Sequence, residues 1–533
     1  MTIRGRDGKL LLSPIAESVV LDDKCASGAS LGKTAETRFD VIVVGTGAGG
    51  AAAGTEYARA GLKVLFVEAG PGFEKRSFAR RKLSWSTTHL YAKRGVQLAM
   101  GKPPILLPSG RCVGGSTVLN SAICFRPPHK RLQEWHQLHG GDHLLPDALA
   151  PVVDEVWRKL GITPTHAGNG RKNNLLLQQG LNRLNAQSPG SVEHDWIRRN
   201  APACMGCGVC HLGCPAGAKA SVDKALLPEA LNFDASIRTL SRVDGIVIEG
   251  GRATGVGVVL TDAATGLPTG NARWFADEVI VAGSALQSPV LLERSGVVRP
   301  HLGDHLFIHP AAACIAEFDD DVDMWSGVPQ GYYGHPVGDD RFLIETVTVG
   351  AGELFGLFGR ATSKGEDITQ RFRKWAFAGA MIRDTTSGGT VHKNGDAPGT
   401  SVTYNVGTSD VEVMKDGLRL LTRAYFAAGA QKVCPLVHPL TFYASEAQAL
   451  DAIDQVRAPT DFAHVHASHP HGTCRMGSET GATAGVVDHT GRVFGVDGLS
   501  VQDGSIFSGA LGVNPQVTIM AVAMANARRH LKN

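Results

Sequence analysis

The sequence predicts an α/β protein with a doubly wound, Rossmann-like dinucleotide-binding domain and a second domain beside it. Three observations predict this. A glycine cluster near residue 45 lies between two short strand patterns, a branched strand pattern at 277–283 runs into a helix start, and 533 residues exceed what one hydrophobic core usually supports.

Phe39 to Val44 is a short, branched run of the kind that forms a buried strand, and it ends at Gly45-Thr46-Gly47-Ala48-Gly49-Gly50. A small-residue helix follows to about Ala60, and Lys63 to Glu68 reads as the next strand. Gly45, Gly47 and Gly50 therefore hold the glycine positions of G-x-G-x-x-G in the strand, turn and helix context that the motif requires. Amides at a helix start lack intrahelical acceptors and lie at the positive end of the dipole, so they can hold a pyrophosphate. Glu68, at the end of the second strand, is placed to accept hydrogen bonds from an adenosine ribose. These residues alone do not choose between FAD and NAD.

Asp277 to Gly283 is a returning inner strand leading to a helix at Ser288-Pro289. The composition, 43% hydrophobic and 19% charged with 65 Gly and 26 Pro, is globular and rich in turns. Lys and Arg (53) nearly balance Asp and Glu (50), and no dense basic block is interleaved with aromatics, which argues against nucleic acid as a partner. Residues 1–37 read as a polar or weakly structured leader without the apolar core of a secretory signal, and no long apolar run follows. This points to a cytoplasmic protein, with peripheral contact to the inner membrane left open. Its 10 cysteines are then expected to be thiols or ligands rather than disulfides.

Four further segments carry a family resemblance. They are Glu68-Ala69-Gly70-Pro71-Gly72, Arg111-Cys112-Val113-Gly114-Gly115-Ser116-Thr117-Val118-Leu119-Asn120, Gly283-Ser284-Ala285-Leu286-Gln287-Ser288-Pro289, and the stretch from His469-Pro470-His471-Gly472-Thr473 through Val501-Gln502-Asp503-Gly504-Ser505 to Gly512-Val513-Asn514-Pro515-Gln516-Val517-Thr518. In order and combination they resemble the glucose-methanol-choline (GMC) oxidoreductases, which are FAD enzymes. The resemblance covers nearly all of the chain after the leader, weakly from about 310 to 455. It implies that Gly114, Gly115, Ser116 and Asn120 lie along the flavin and pyrophosphate, that Val243 offers backbone contacts to adenine, and that Asp503 lies near the phosphate or ribityl part. It also implies that the helix starting near Pro515 and carrying Thr518 aims its amides at the flavin N1 and C2 carbonyl edge, where reduction gathers negative charge. Ser508 stands where the family often has proline.

The same resemblance places His469 beside the flavin N5 with Asn514 as companion. A neutral imidazole can take an alcohol proton while the adjacent carbon gives hydride to flavin. Asn514 can hold the alcohol or alkoxide oxygen without competing for the proton. His464, His466 and His471 crowd the same stretch, and in an extended segment His469 and His471 share a face.

Cys204, Cys207, Cys210 and Cys214, followed by Pro215, form the C-x-x-C-x-x-C-x-x-x-C-P run with which bacterial ferredoxins hold iron–sulfur clusters, and Gly206, Gly208 and Gly213 permit the tight turns. The expected centre is a 3Fe–4S or 4Fe–4S cluster. Structural zinc, disulfides and plain thiols remain alternatives. Within the family, Cys207 to Lys219 resembles long-chain alcohol oxidases, whereas Cys204, Cys210 and Cys214 match the ligand order of cluster-bearing subunits of bacterial FAD-dependent sugar dehydrogenases.

The expected organisation follows. A discontinuous FAD-binding domain spans 38–128, 222–310 and 456–533, a cysteine-bearing insertion spans 129–221, and an α+β substrate domain with an antiparallel sheet spans 311–455. Alternation around Phe342 to Val349 and Ser401 to Val406 permits that sheet. Leu354 to Gly359 is an apolar segment suited to core, channel or shallow membrane contact. The expected reaction is oxidation of a bulky or long-chain alcohol, with electrons leaving through the cysteine centre to a protein or quinone acceptor. The alternatives are direct transfer to oxygen with peroxide release, a sugar substrate, and a non-catalytic electron carrier.

Overall fold

The computed structural model describes residues 25–27, 38–73, 75–80, 83–263, 265–349, 371–386, 388–395 and 399–532. Most of the leader and the Leu354 to Gly359 segment lie outside the described residues. Strand Arg38–Val44 sits between Val64–Val67 and Pro268–Val281, all parallel, and Ser236–Thr239 and Cys25–Ser27 extend the sheet beyond Val64–Val67. The strand Leu499–Val501 also runs parallel to Pro268–Val281. Arg252–Thr261 and Ser241–Glu249 complete the eight-stranded sheet with antiparallel pairings. The leader thus contributes one edge strand, Cys25–Ser27.

Parallel strands covered on both faces read as continuous apolar runs, and Val41, Ile42 and Val43 are accordingly buried. Helix Ala48–Arg59 packs against the C-terminal helix Gln516–His530 through small side chains, among them Ala51, Ala52, Ala521 and Ala523. It also lies so close to the sheet that a Cβ on Gly54 would stand 2.4 Å from the Phe66 ring. The core of this domain surrounds both helices and the parallel strands.

The second sheet is antiparallel, in the order Lys432–Pro435, Ala311–Glu317, Trp375–Ile382, Phe342–Thr346, Tyr332–Pro336, Val192–Trp196. Helices Thr408–Ala428 and Ala167–Gln187 pack with it around a second core. The strand Val192–Trp196 comes from within 129–221, so that stretch supplies an edge of the second sheet as well as the cysteine loop. Ser401 to Val406 does not join this sheet: Thr400–Asn405 pairs with Gly388–Lys393 in a separate hairpin. Among the described residues no helix is long and apolar enough to cross a membrane.

Candidate active site

The glycine turn lies at the C-terminal ends of the parallel strands, where open α/β sheets bind ligands. Gly45 has φ +101°, and a Cβ there would meet the Ala282 carbonyl oxygen at 2.4 Å, so both conformation and space demand glycine. Gly47 differs: nothing lies within 4 Å of its would-be Cβ, which leaves an open face beside the start of helix Ala48–Arg59, an end with no side-chain cap and no acidic residue in its first turn. The Gly114–Gly115 turn closes over this point. Gly114 N donates to Thr46 Oγ1 (3.1 Å), and a Cβ on Gly115 would stand 3.0 Å from Gly47 Cα.

Glu68 is buried and already engaged. Its Oε2 accepts from Thr46 N (3.2 Å) and Thr46 Oγ1 (2.6 Å), and its Oε1 accepts from Gly70 N (2.8 Å). These bonds leave part of its acceptor capacity for a ribose. Ser241 N donates to the Glu68 carbonyl (2.9 Å), which brings the nearby Val243 to the same edge. Asp503 is committed to the protein: Oδ2 accepts from Ser284 N (2.8 Å) and Ser288 Oγ (2.5 Å), and Oδ1 accepts from Ser505 N (2.8 Å). Ser116 Oγ accepts from Gly110 N (2.9 Å). Asn120 Nδ2 donates to Gln516 Oε1 (2.9 Å), joining the segment after Gly115 to the start of the C-terminal helix. Pro515 is the N-cap of that helix, and Thr518, in its first turn, is fully buried with Oγ1 unpartnered. An open glycine face at an uncapped helix start fits the pyrophosphate of a dinucleotide cofactor, and Thr518 Oγ1 is an orphaned polar atom in the first turn of the C-terminal helix.

His469 and Asn514 meet, with Nε2 and Nδ2 3.4 Å apart. His469 is half-buried, and burial, then the neighbouring His471 and His466, push its pKa down to about 3, so it is neutral at ordinary pH. His471 does not share its role. Its Nδ1 lies 2.6 Å from the His469 carbonyl oxygen, and its ring stacks on Phe307. His466 is exposed and bonds Ser468 Oγ (2.8 Å), and His464 is exposed beside it.

Two residues that the sequence reading missed complete the constellation. His309, fully buried, places Nδ1 3.3 Å from His469 Nδ1 and accepts from Gly512 N at Nε2 (2.9 Å). A single proton serves the facing Nδ1 atoms. When His309 carries it, the Gly512 bond is kept; when His469 carries it, His469 Nε2 has a free lone pair. Glu345, in strand Phe342–Thr346, is 4% exposed, lies beside the Asn514 side chain and accepts from Gln330 Nε2 (3.2 Å). Burial pushes its pKa up to about 8. Its Oε1 and Asn514 Oδ1 are both buried without partners. A lone carboxylate in the apolar run Phe342-Leu343-Ile344-Glu345 was the sequence signal for it.

A cavity of about 320 Å³ is lined by Cys124, Phe125, Arg126, Trp157, Arg198 and Tyr333. Its wall is joined to the site through Cys124, whose Sγ accepts from Gln516 Nε2 (3.5 Å), and through Tyr333, which pairs with Glu345 across two strands.

Cys204, Cys207, Cys210 and Cys214 carry free thiols and line one pocket with Arg199 and Lys219. Gly206, Gly208 and Gly213 all have positive φ, as the tight loop requires. Arg199, 3% exposed, donates to Cys204 Sγ (3.5 Å) and Cys210 Sγ (3.3 Å), and Gly206 N donates to Cys204 Sγ (3.4 Å). Lys219, 2% exposed, donates to the carbonyls of Val118 (2.7 Å), Asn120 (2.8 Å) and Cys210 (3.2 Å), so the loop rests on the segment that follows Gly115. Among the described residues no three His, Cys, Asp or Glu side chains are grouped so as to hold a metal ion.

The models of the GMC oxidoreductase family match residues 39–311 and 385–523. The chain is a GMC oxidoreductase. An uncharacterized GMC-type oxidoreductase of Mycobacterium tuberculosis is 35% identical to this GMC oxidoreductase over 496 residues, covering 92% of this chain and 75% of the relative. The long-chain-alcohol oxidase FAO4B of Arabidopsis thaliana is 31% identical over 519 residues, covering 91% of this chain and 66% of that protein. In fold, the GMC oxidoreductase is similar to pyridoxine 4-oxidase from Mesorbium loti (TM-score 0.68, 19% identity, 93% of this chain and 99% of that one) and to formate oxidase (TM-score 0.69, 17% identity, 93% and 98%). The expected family, FAD fold and class of enzyme are thereby established: this is an FAD-dependent oxidoreductase acting on CH–OH groups.

Proposed function

We propose that this GMC oxidoreductase oxidises a primary or secondary alcohol with a sizeable apolar body at His469 and Asn514, and passes the electrons through a centre at its four cysteines. The observation that carries the first half is the contact of His469 Nε2 with Asn514 Nδ2 just ahead of the C-terminal helix. Bound FAD supplies the hydride acceptor. Gly45, Gly47 and Gly50 with the amides that follow would hold its pyrophosphate, Glu68 and Val243 its adenosine, Gly114, Gly115, Ser116 and Asn120 would lie along flavin and pyrophosphate, Asp503 near the phosphate or ribityl part, and the helix start at Pro515 with Thr518 at the flavin N1 and C2 carbonyl edge.

His469 takes the alcohol proton at Nε2. For this the proton shared with His309 must sit on His469 Nδ1, and His309 then gives up its bond from Gly512, at a cost of about 1 kcal/mol. Asn514 steadies the substrate oxygen. The long-chain-alcohol oxidase of Arabidopsis supports a long-chain alcohol, while the nearby cavity mixes Phe125, Trp157 and Tyr333 with Arg126 and Arg198. Sugars are the second choice. Anaerobic stopped-flow mixing with a fatty alcohol and with glucose at matched concentration tests this, and faster flavin reduction by glucose overturns it.

For the second half, the support is a pair of buried cations. Neither Arg199 nor Lys219 forms an ion pair with a carboxylate among the described residues. Burial raises the pKa of the Cys210 thiol and lowers that of Lys219 to about 8, so thiolates would arise here on metal binding, which would place negative charge beside both cations. Among the described residues no three of these side chains are grouped to hold a metal, so an iron–sulfur cluster, 3Fe–4S or 4Fe–4S, would require Cys204, Cys210 and Cys214, with Cys207 as further ligand, to draw together around it, and it would accept electrons singly. Its acceptor is then a protein or a quinone, reached in the cytoplasm or at the inner membrane surface. The competing reading is direct reduction of oxygen to peroxide, which the name of the Arabidopsis oxidase favours.

A further inference from the structure

Glu345 calls for an explanation of its own. Burying a carboxyl in an apolar strand costs free energy unless it is neutral or compensated by charge and hydrogen bonds. No cation faces it among the described residues. Gln330 Nε2 donates to its Oε2 (3.2 Å), the Asn514 side chain lies beside it, and its Oε1 has no partner. A neutral carboxylic acid resolves this. One oxygen then accepts from Gln330, and the other carries an O–H with no protein acceptor, next to the residue that holds the substrate oxygen.

We infer that Glu345 is a catalytic residue of the alcohol site, a neutral acid whose Oε1–H donates a hydrogen bond to the reacting oxygen. The inference rests on the alcohol oxidation proposed above. The alcohol O–H bond breaks and its proton goes to His469 Nε2, the carbinol C–H bond breaks and its electron pair leaves as hydride to FAD, and the carbonyl forms. Glu345 ends with the proton it started with. It stabilises the charge that gathers on oxygen when the proton leaves ahead of hydride. A carboxylic acid kept neutral by an apolar site can serve in this way because its O–H is a strong donor that needs no reorganisation.

This makes the reaction sensitive to alkali, because ionisation turns the donor into an acceptor and puts a second negative charge beside the oxygen. The other titratable groups around the site do not supply that limb. His469, His309 and His471 are held below neutrality by burial. Asp384, which accepts from Ile308 N, His309 N and Tyr404 Oη, titrates near 6. Tyr333, across the strand pair, is raised above its usual range, and Arg383 packs against Gly512.

The test compares Glu345→Gln, which keeps an N–H donor but cannot ionise, with Glu345→Leu, which keeps neither, in the FAD-loaded enzyme. Glu345→Leu should slow anaerobic flavin reduction by alcohol at least tenfold with a smaller change in KM. Glu345→Gln should recover most of that loss, and should lack the decline that the wild-type rate shows as pH rises through about 8. Infrared difference spectra between pH 6 and 10 give a readout independent of turnover: a protonated-carboxyl C=O band should disappear with an apparent pKa near 8, and should be missing from Glu345→Gln in both FAD-loaded and FAD-free protein. A Glu345→Leu enzyme that reduces its flavin as fast as the wild type overturns the inference, as does an unchanged alkaline limb in Glu345→Gln. If no alcohol reduces the wild-type flavin, the proposed reaction fails, while the infrared band still reports whether Glu345 is a neutral acid.

Discussion

Asn514 Nδ2 and His469 Nε2 stand 3.4 Å apart although 45 residues separate them in the chain. The C-terminal helix brings one and the loop before Leu499–Val501 the other. His469→Ala removes the proton acceptor without touching the glycine turn, so it should retain bound FAD and lose flavin reduction by about 10²- to 10⁴-fold. Single-turnover absorbance changes measure this directly, and a rate within threefold of the wild type would exclude His469 from the chemistry.

Asn514→Ala should act more mildly. It deletes one hydrogen bond to the substrate oxygen and removes the side chain beside the Glu345 carboxyl, so a loss of about 10- to 100-fold in the reduction rate is expected, with FAD retained. If only KM changes, Asn514 binds the alcohol equally in ground and transition states.

The two ends of the glycine turn should respond differently. Gly47→Ala adds a methyl group where nothing lies within 4 Å, at φ −70°, so the FAD-free protein should lose less than about 1 kcal/mol. If that open face holds the pyrophosphate, FAD affinity should fall tenfold or more. Gly45→Ala faces both a positive φ and the Ala282 carbonyl, and should destabilise the FAD-free protein itself by roughly 2 kcal/mol or more. Paired thermal melts and FAD titrations separate these outcomes, and equal effects on both properties in both variants would contradict the assignment.

Much of this was legible because it is local. Strand, glycine turn, helix and strand occupy residues 38–67, and their apolar runs, small residues and glycines each specify one conformation. The contact between His469 and Asn514 was legible through family resemblance. His309 and Glu345 were not, nor was the bond from Asn120 to Gln516, because each acquires meaning only from a partner far along the chain: His469 is 160 residues from His309, and Asn120 is 396 from Gln516. The second sheet was only half legible, since the strand Val192–Trp196 joins it from across the cysteine loop. Asp503 accepts from Ser284, Ser288 and Ser505, and so appears in the structure first as the residue that ties those turns together.

The cysteine pocket gives a further prediction. Anaerobically purified protein should contain stoichiometric iron and sulfide, and Cys210→Ser should lose both while keeping FAD. Arg199→Leu removes the cation that donates to Cys204 and Cys210, and should lower the reduction potential of the centre, since a nearby positive charge favours the added electron. Zinc in place of iron, or no metal, would leave the thiols with a structural role and would favour oxygen as acceptor.

The most direct test of the account is anaerobic mixing of a long-chain alcohol with the FAD-loaded wild type and with His469→Ala, followed by flavin absorbance. The wild-type flavin should bleach rapidly, and that of the variant, holding an equal amount of FAD, should not bleach on the same timescale. Equal bleaching in both, or a wild-type flavin that no alcohol reduces, would contradict it.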